Sequence, residues 1–380
     1  MLPPLDASNA GEDITAAGAL VAGDQLLVSY SVRTGNGFSV QLAALIDGSW
    51  VWRGALPVRP GYFRPNGADP PRLAAAADGS LVAAWVESTS PHGVGEDSMI
   101  WLARSADGGR GWHRFGPLHR GGGGAEHSFP SLVPVAGDEL RAVWLDGREA
   151  DRGGSTQLRS ARVIGHDVVD EEVVDPRVCD CCTTGMAVTA DGPLVVYRDR
   201  SAAEQRDIAA VHRAGDRWLD PAPVATDGWI IEGCPVNGPA VAAEGRRVAV
   251  AWFTAAGARP RVRAALSDDG GAHFGPAVDV DLLEQPPGQF GWVGVVLDDR
   301  GGAVVGWPRP LPHARMDLML RRIAADGSTG NALVVASLGP TFDMGKPRLL
   351  RRGADAVLLW TTPEPAQHLA GALVRLDGVP

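Results

Sequence analysis

Short apolar segments separated by turns recur along the whole chain at a nearly constant interval. Each repeat has a short strand, a turn with Asp or Gly, and an apolar strand ending in an aromatic residue, as in RLAAAADGSLVAAW. A third strand such as MIWLARS and a weaker fourth strand such as FGPAVDVD follow. The closing aromatics, spaced by 55, 59, 53, 55, 55 and 53 residues, are Tyr30, Trp85, Trp144, Tyr197, Trp252, Trp307 and Trp360. Four strands per repeat at this period predict the blades of a β-propeller.

The number of repeats predicts the number of blades. There are seven, and the seventh stops after its third strand, LAGALVRL, while MLPPLDAS at the other end resembles the missing fourth strand. We therefore predict an all-β, seven-bladed β-propeller formed by one domain, residues 1–380, with six blades as the alternative. The N-terminal strand would close the ring and leave no open sheet edge. The repeated aromatics are expected to pack between blades rather than to bind a ligand.

Charge and hydropathy exclude several classes of partner. The 380-residue chain has a formal net charge of −10, which disfavours binding to nucleic acid or to an anionic membrane surface. It contains no apolar run of the roughly 20 residues that a membrane span requires. The first residues, MLPPLDASNAGED, lack the basic and apolar segments of a signal peptide.

Two turns between third and fourth strands carry a sharper motif, SADGGRGW at Ser105–Trp112 and SDDGGAHF at Ser267–Phe274. In such a turn the Asp carboxylate accepts hydrogen bonds from backbone amides, Gly supplies backbone freedom and the aromatic pins the turn. The motif resembles the Asp box, S-x-D-x-G-x-x-W, of sialidase-like (BNR-repeat) propellers. The resemblance covers the whole chain as architecture and implies a fold rather than an activity.

The catalytic residues of sialidases find no match here. That family uses an arginine triad, a Tyr–Glu nucleophile pair late in the chain and an Asp acid/base. This chain has three tyrosines: Tyr30 and Tyr197 take the repeated aromatic position, and Tyr62 comes too early in the chain. We therefore expect no appreciable sialidase turnover. The resemblance also implies export, so we expect a periplasmic or secreted protein whose signal has been removed, with the cytoplasm as the alternative.

The four cysteines fall at equivalent positions of neighbouring repeats. Cys179, Cys181 and Cys182 lie in VCDCCTTGMAV, and Cys234 lies in EGCPVNGPAVA. Aligning the shared Gly-x-Ala-Val places Cys181 level with Cys234, just before the first strands of blades four and five. Because first strands line the channel of a propeller, the thiols are predicted to meet at the channel mouth.

Sulfur ligands in this arrangement suit a soft metal ion, above all Cu(I), with Zn second. The predicted ligands are the four cysteines, together with two weaker candidates at the equivalent positions of other blades, His127 and Met344. Disulfides, which an even cysteine count favours in an exported protein, and a thiol redox centre are the alternatives. A bond between adjacent Cys181 and Cys182 would be strained, a Cys179–Cys181 bond little less so, and one bridge from the cluster to Cys234 would leave two thiols.

A second polar set follows the second strands and is predicted to open onto the same face. Its members are Asp146, Arg148, Glu149, Arg198, Asp199, Arg200, Arg206 and Asp207. Alternating Arg and Asp at this density is typical of ion-pair networks that brace loops. The alternatives are binding of an anionic ligand, support of the metal ligands, and, in a glycoside hydrolase, weak candidates for acid/base catalysis.

The cysteine cluster favours one function class over two others. We predict an exported propeller with a thiolate metal site for storage, delivery or redox chemistry. The alternatives are a sialidase-type glycoside hydrolase with structural disulfides and a non-catalytic interaction scaffold. The expected partners are a metal ion and, as an alternative, a small anionic or carbohydrate ligand, with no nucleic acid and no membrane span.

Overall fold

The computed structural model describes residues 1–5, 14–35, 37–91, 97–121, 124–284, 292–313, 315–339, 346–362 and 368–380. Within these ranges the regular structure is almost entirely β. Helical structure there is limited to short 3-10 turns at Ala150–Arg152, Ala256–Ala258 and Leu376–Gly378. None of the helices in the described ranges is long and apolar enough to cross a membrane.

The strands of the described residues form seven antiparallel sheets, in which neighbouring strands follow one another along the chain, except that β17 (Ala222–Pro223) pairs with β15 (Ile208–Ala214) in the fourth. Blades one and two contain β1 (Ile14–Ala22), β2 (Gln25–Thr34), β3 (Gly37–Ile46), β4 (Ser49–Leu56), β5 (Arg72–Ala75), β6 (Leu81–Ser88), β7 (Ser98–Ser105) and β8 (His113–Phe115). Blades three and four contain β9 (His127–Ala136), β10 (Glu139–Asp146), β11 (Gln157–Ile164), β12 (Asp167–Asp175), β13 (Gly185–Thr189), β14 (Gly192–Arg198), β15 (Ile208–Ala214), β16 (Arg217–Trp218) and β17 (Ala222–Pro223). Blades five to seven contain β18 (Ala240–Glu244), β19 (Arg247–Thr254), β20 (Arg261–Ser267), β21 (Val278–Leu282), β22 (Gly294–Leu297), β23 (Ala303–Pro310), β24 (Met316–Ile323), β25 (Leu333–Leu338), β26 (Arg348–Arg352), β27 (Asp355–Thr362) and β28 (His368–Arg375).

The seven sheets are arranged as a β-propeller, so the predicted fold class is confirmed and the six-bladed alternative is not adopted. The seventh sheet has three strands of its own, β26, β27 and β28. Leu5 pairs with Leu369 of β28 through two backbone hydrogen bonds of 2.8 and 3.0 Å. The backbone N–H of Leu2 donates to Gly371 O at 2.8 Å. The N-terminal segment therefore completes the last blade, as predicted.

The chain divides into two compact units. The first comprises Met1–Pro176, Asp343–Lys346 and Leu359–Gly371, and the second comprises Arg177–Phe342, Pro347–Leu358 and Ala372–Pro380. Blades one to three belong to the first unit, and blades four to six, with all four cysteines, belong to the second. That residues 1–380 form a single domain stays a prediction.

The repeated aromatics form the core between blades. All seven are buried. Trp144 packs with Ile100 and Leu102 of the preceding blade, and Trp252 packs in the same way with Val196 and Ile208. Their predicted role in blade packing is confirmed.

Four of the buried indoles also have a carboxylate partner. The Nε1–H groups donate over 2.7–2.9 Å in the pairs Trp85–Glu87, Trp144–Asp146, Trp252–Asp227 and Trp307–Asp281. A buried indole N–H without a partner would be unfavourable. These carboxylates therefore belong to the packing of their blades.

The two Asp-box-like turns have the hydrogen bonds expected from their residues. Ser105 Oγ accepts the N–H of Gly109 at 2.9 Å, and Asp107 Oδ1 accepts the N–H of Gly111 at 2.9 Å. The turn at residues 267–274 has equivalent bonds of 2.9 Å. Both turns join the third strand of a blade to the fourth, which is the predicted place.

Candidate metal and thiol centre

The cysteines lie in two loops, each leading into the first strand of its blade. Cys179, Cys181 and Cys182 precede β13, and Cys234 precedes β18. The first strands of blades four and five lie side by side. The alignment of the repeats therefore predicts the relative position of the two loops correctly.

Close packing of the two loops depends on Gly238. A Cβ atom at this position would collide with the carbonyl and hydroxyl oxygens of Thr183, which follows the cysteine motif directly. Glycine is the residue that permits so close an approach of two backbones. The Cys234 loop can therefore lie directly against the loop that carries the other three cysteines.

The structure has one disulfide in its described residues, between Cys181 and Cys234, with a Cα–Cα distance of 6.1 Å. Cys179 and Cys182 remain thiols, and their Sγ atoms are 2.8 Å apart. Cys179 Sγ lies 3.9 Å from Cys181 Sγ. A single bridge to Cys234, with the other two cysteines as free thiols, is one of the arrangements that the sequence leaves open. Cys181 and Cys234 offer no thiolate in this form, and their role as ligands in a reduced form stays a prediction.

Solvent exposure rises across the cluster from the thiols to the disulfide. Cys179 and Cys182 are only 1% and 2% exposed. Cys181 is half-buried and Cys234 is exposed. A solvent molecule or a partner therefore meets the disulfide before it meets the thiols.

Arginine and carboxylate side chains surround the buried thiols. Arg206 Nη1 lies 3.4 Å from Cys179 Sγ and 3.5 Å from Asp180 Oδ1. Glu204 holds the same guanidinium at 2.8 Å and also pairs with Arg200 at 2.9 Å. Of the predicted polar set, Arg206 thus contacts the candidate ligand Cys179 directly. Arg200 is linked to Arg206 through their shared partner Glu204.

The two buried thiols differ in acidity. The hydrogen bond from Cys182, the backbone N–H of Cys181 and the charges of Arg198 and Arg206 lower the pKa of Cys179 to about 6, against the opposing effect of burial. Burial and the hydrogen bond to Cys179 raise the pKa of Cys182 well above its ordinary value. Cys179 is therefore the more acidic thiol of the pair.

Arg198 connects the loops around the centre. It is buried, and it donates to the carbonyl oxygens of Asn237, Arg206 and Phe253 at 2.9, 2.7 and 2.8 Å. Its guanidinium also lies over the Trp229 ring, 4.8 Å from the centroid. These contacts occupy the Arg198 side chain within the protein and hold the loops of Arg206 and Asn237 against the end of β19.

The two aspartates of this region also contact the backbone of loops. Asp207 accepts the backbone N–H groups of Gly228 and Trp229 at 2.9 and 3.0 Å. Asp199 Oδ1 accepts the N–H of Arg200 at 2.7 Å. Such bonds brace loops, as expected for a structural network.

The remaining members of the polar set lie in the first unit. Asp146 is fully buried and accepts two hydrogen bonds of 2.7 Å from Arg148. Arg148 also pairs with Glu171 at 3.0 Å. Glu149 is half-exposed and pairs with Arg152 at 2.9 Å. The buried members therefore form an ion-pair network.

His127 also belongs to the first unit, and its ring contacts other residues of that unit. Its Nδ1 lies 2.8 Å from Ser98 O, and its Nε2 lies 3.5 Å from Asp146 Oδ2. The ring stacks on His119 with centroids 3.5 Å apart. Its role as a metal ligand stays a prediction, and Met344 lies outside the described residues.

Sequence reasoning missed three residues that contact the centre. Asp180 faces Arg206, Glu204 holds Arg206, and the backbone N–H of Asn237 donates to Cys182. The position of Asp180 between two cysteines was an available signal. Glu204 and Asn237 carry no such signal, because their loops reach the centre only through the fold.

Comparisons with known proteins support the fold. Neither a protein-family model nor a curated protein matches the chain, so no family match confirms the BNR-repeat resemblance. An α-L-arabinofuranosidase of Fusarium graminearum, solved with an iminosugar inhibitor, is 13% identical over 97% of this chain and 94% of its own, with a TM-score of 0.54. An α-L-arabinanase of Penicillium chrysogenum, solved with arabinobiose, is 12% identical over 97% and 95%, with a TM-score of 0.53. A Hadza microbial sialidase is 14% identical over 93% and 76%, with a TM-score of 0.50. At these identities the comparison establishes that the chain shares a β-propeller fold with glycoside hydrolases.

Proposed function

We propose that this protein is a metal-binding β-propeller that holds Cu(I) at its cysteine centre, for storage, delivery or redox chemistry. The observation that carries the proposal is the pair of buried thiols Cys179 and Cys182, whose Sγ atoms lie 2.8 Å apart in a group of three cysteine sulfurs within 4.8 Å of one another. Soft thiolate ligands favour Cu(I) and Zn over harder ions. The channel mouth remains the expected place of this site.

The number of available thiolates favours copper over zinc. With the disulfide closed, the cluster offers the two sulfurs of Cys179 and Cys182. A structural zinc site requires four ligands, whereas Cu(I) accepts two thiolates. Reduction of the Cys181–Cys234 bond would add further sulfurs and admit zinc or a small copper cluster.

The charges around the thiols support the same proposal. Two thiolates and one Cu(I) ion carry a net negative charge, and a buried charge is unfavourable without a partner. Arg206 lies within 3.4 Å of Cys179 and supplies the opposite charge. A zinc ion with the same two thiolates would be neutral and would need no such partner.

The disulfide supports the expected location. Stable disulfides are typical of the periplasm and of secreted proteins, and they are rare in the cytosol. An exported protein would meet copper in its less reduced environment, where thiol ligation protects Cu(I) from oxidation.

Competition titration with a chromogenic Cu(I) ligand tests the proposal. The disulfide-bonded protein should bind one Cu(I), and Cys179→Ser/Cys182→Ser should abolish binding. The matched control, Cys181→Ser/Cys234→Ser, removes the other two cysteines and should still bind one ion. Equal binding by the two double variants, or no binding by the wild type, would contradict the proposal.

A glycoside hydrolase is the second candidate function. It is supported by the solved structures of similar fold, an arabinofuranosidase, an arabinanase and a sialidase. Of the four candidate carboxylates Asp146 and Asp207 are buried, whereas Glu149 and Asp199 are partly exposed and therefore more accessible for acid/base work. Hydrolysis of an aryl α-L-arabinofuranoside that is lost in Glu149→Gln would favour this function. Absence of turnover on aryl glycosides and on arabinan would contradict the glycoside hydrolase hypothesis.

A further inference from the structure

The cysteines form a connected series of sulfur atoms from the surface to the interior. Exposed Cys234 is bonded to half-buried Cys181, whose Sγ lies 3.9 Å from the Sγ of Cys179. Cys179 in turn lies 2.8 Å from Cys182, and both are buried. A disulfide with one exposed cysteine thus lies next to a buried dithiol.

We propose that these four residues form an internal thiol–disulfide relay, in which oxidising equivalents pass between the exposed Cys181–Cys234 pair and the buried Cys179–Cys182 pair. The relay goes beyond the proposed metal function and does not depend on it. The external partner is a thiol or disulfide compound that reacts at Cys234, the exposed end of the series.

Two exchange steps complete the transfer without any further reagent. In the first, the thiolate of Cys179 attacks Sγ of Cys181, a Cys179–Cys181 bond forms, and Cys234 leaves as a thiolate that takes up the proton lost by Cys179. In the second, the thiolate of Cys182 attacks Sγ of Cys179, and Cys181 leaves and takes up the proton lost by Cys182. One disulfide and two thiols are present before and after, so atoms, electrons and protons balance.

The spacing of the cysteines favours conversion of the Cys179–Cys181 intermediate into the Cys179–Cys182 disulfide. The Cys179–Cys181 bond closes a small C-x-C ring, which is strained and therefore easily attacked. Cys182 is placed for that attack, since its Sγ already lies 2.8 Å from Sγ of Cys179. The product has the wider C-x-x-C spacing, and it leaves Cys181 and Cys234 as thiols near the surface.

The relay also links the oxidation state to the position of the available thiols. With the surface bond closed, the thiols are Cys179 and Cys182 in the interior. After transfer, the thiols are Cys181 and Cys234, which lie closer to solvent. A partner that reacts at Cys234 would thereby control which pair of sulfurs is available.

Disulfide mapping of the wild type tests the proposal directly. Trypsin separates residues 178–198, with three cysteines, from residues 218–246, with Cys234. The fully reduced, metal-free protein is mixed with one equivalent of oxidised glutathione in the presence of chelator, quenched at intervals with acid and alkylated. We expect the linked pair of peptides first, followed by peptide 178–198 with an internal Cys179–Cys182 bond and peptide 218–246 with an alkylated Cys234. Linked peptides alone at all times would overturn the proposal.

A double variant tests whether the oxidant must enter through the Cys181–Cys234 pair. In Cys181→Ser/Cys234→Ser the buried pair has lost its route to the surface, and its oxidation by glutathione should slow by about tenfold or more. Oxidation of Cys179 and Cys182 at the wild-type rate in this variant would overturn the relay. The wild-type map still decides the matter if this variant fails to fold. Because all samples are metal-free, failure of the relay and failure of copper binding are separate results.

Discussion

Arg206 connects the buried thiols to the surrounding charges at the scale of single residues. Its Nη1 lies 3.4 Å from Cys179 Sγ, whereas Arg200 forms ion pairs with Glu204 and Asp180. Arg206→Gln removes the positive charge beside a copper-thiolate anion. We expect Cu(I) affinity to fall roughly tenfold, or about 1.4 kcal/mol, in the competition titration.

Arg200→Gln is the matched control, because it removes one arginine from the same cluster without touching the sulfurs. Its Cu(I) affinity should stay within roughly threefold of the wild-type value. Equal losses in the two variants would mean that general charge, rather than the contact with Cys179, assists binding.

His119 gives the protein a specific sensitivity to acid. Burial lowers the pKa of this histidine from 6.5 to about 3. Above pH 6.5 neither the folded nor the unfolded state is protonated here, so His119 does not affect the pH dependence. Below pH 6.5 His119 is protonated in the unfolded state and stays neutral in the folded state. The free energy of unfolding should therefore fall by up to about 1.4 kcal/mol per pH unit between pH 6.5 and 3.

Urea denaturation between pH 7 and pH 4 measures this effect. His119→Gln should flatten the dependence of the unfolding free energy on pH, while the same change at exposed His313 should leave it as in the wild type. Parallel curves for all three proteins would show that other groups dominate acid unfolding.

The sequence predicts which cysteines lie close together, but it does not predict which of them form the disulfide. The repeat alignment places Cys181 opposite Cys234, because equivalent positions in adjacent blades meet in any propeller. Which sulfurs bond depends on the course of the loop backbones, which Gly238 and Thr183 determine through a contact that no spacing encodes. The contact of Arg206 with Cys179 could not be predicted either, since they are 27 positions apart in the sequence and two strands, β13 and β14, lie between them.

At the scale of structural elements, the two cysteine loops depend on one glycine. Gly238→Ala would drive a methyl group into Thr183, next to the cysteine motif, and the backbone there cannot yield cheaply. We expect a loss of roughly 1–3 kcal/mol in unfolding free energy, as for other overpacked sites. The fraction of Cys181–Cys234 disulfide found by mass spectrometry should fall as well.

Gly275→Ala is the control for this prediction. Gly275 is exposed, and its added Cβ would meet its nearest neighbour at an ordinary 3.5 Å. Stability and disulfide content should match the wild type. An equally stable, fully disulfide-bonded Gly238→Ala protein would show that the loops tolerate separation.

At the scale of the whole molecule, the fold was predictable because the same packing of a buried aromatic residue between blades recurs in every repeat. The buried aromatics at Trp144 and Trp252 each fill the space against the preceding blade, so their period reports the blades directly. The N-terminal closure followed from a missing strand, and Leu5 supplies it. Activity has no comparable signature in the sequence, since an arabinofuranosidase, an arabinanase and a sialidase share this fold with the chain at 12–14% identity.

The absence of a late tyrosine gives a prediction for the whole protein. Tyr30 and Tyr197 are buried in the blades, and Tyr62 lies under the guanidinium of Arg59, 4.1 Å from its ring centroid. We expect no release of the fluorophore from a fluorogenic sialoside above the background of heat-inactivated protein. Robust turnover that Tyr62→Phe abolishes would contradict this prediction and would identify Tyr62 as the nucleophile.

Copper K-edge X-ray absorption of the Cu(I)-loaded, disulfide-bonded protein tests the central claim most directly. The account predicts a first shell of two sulfur atoms and no nitrogen or oxygen, since Cys179 and Cys182 are the thiols of the cluster. The same signal should appear in Cys181→Ser/Cys234→Ser and vanish in Cys179→Ser/Cys182→Ser. A shell of nitrogen or oxygen atoms, or a sulfur shell that survives loss of Cys179 and Cys182, would contradict it.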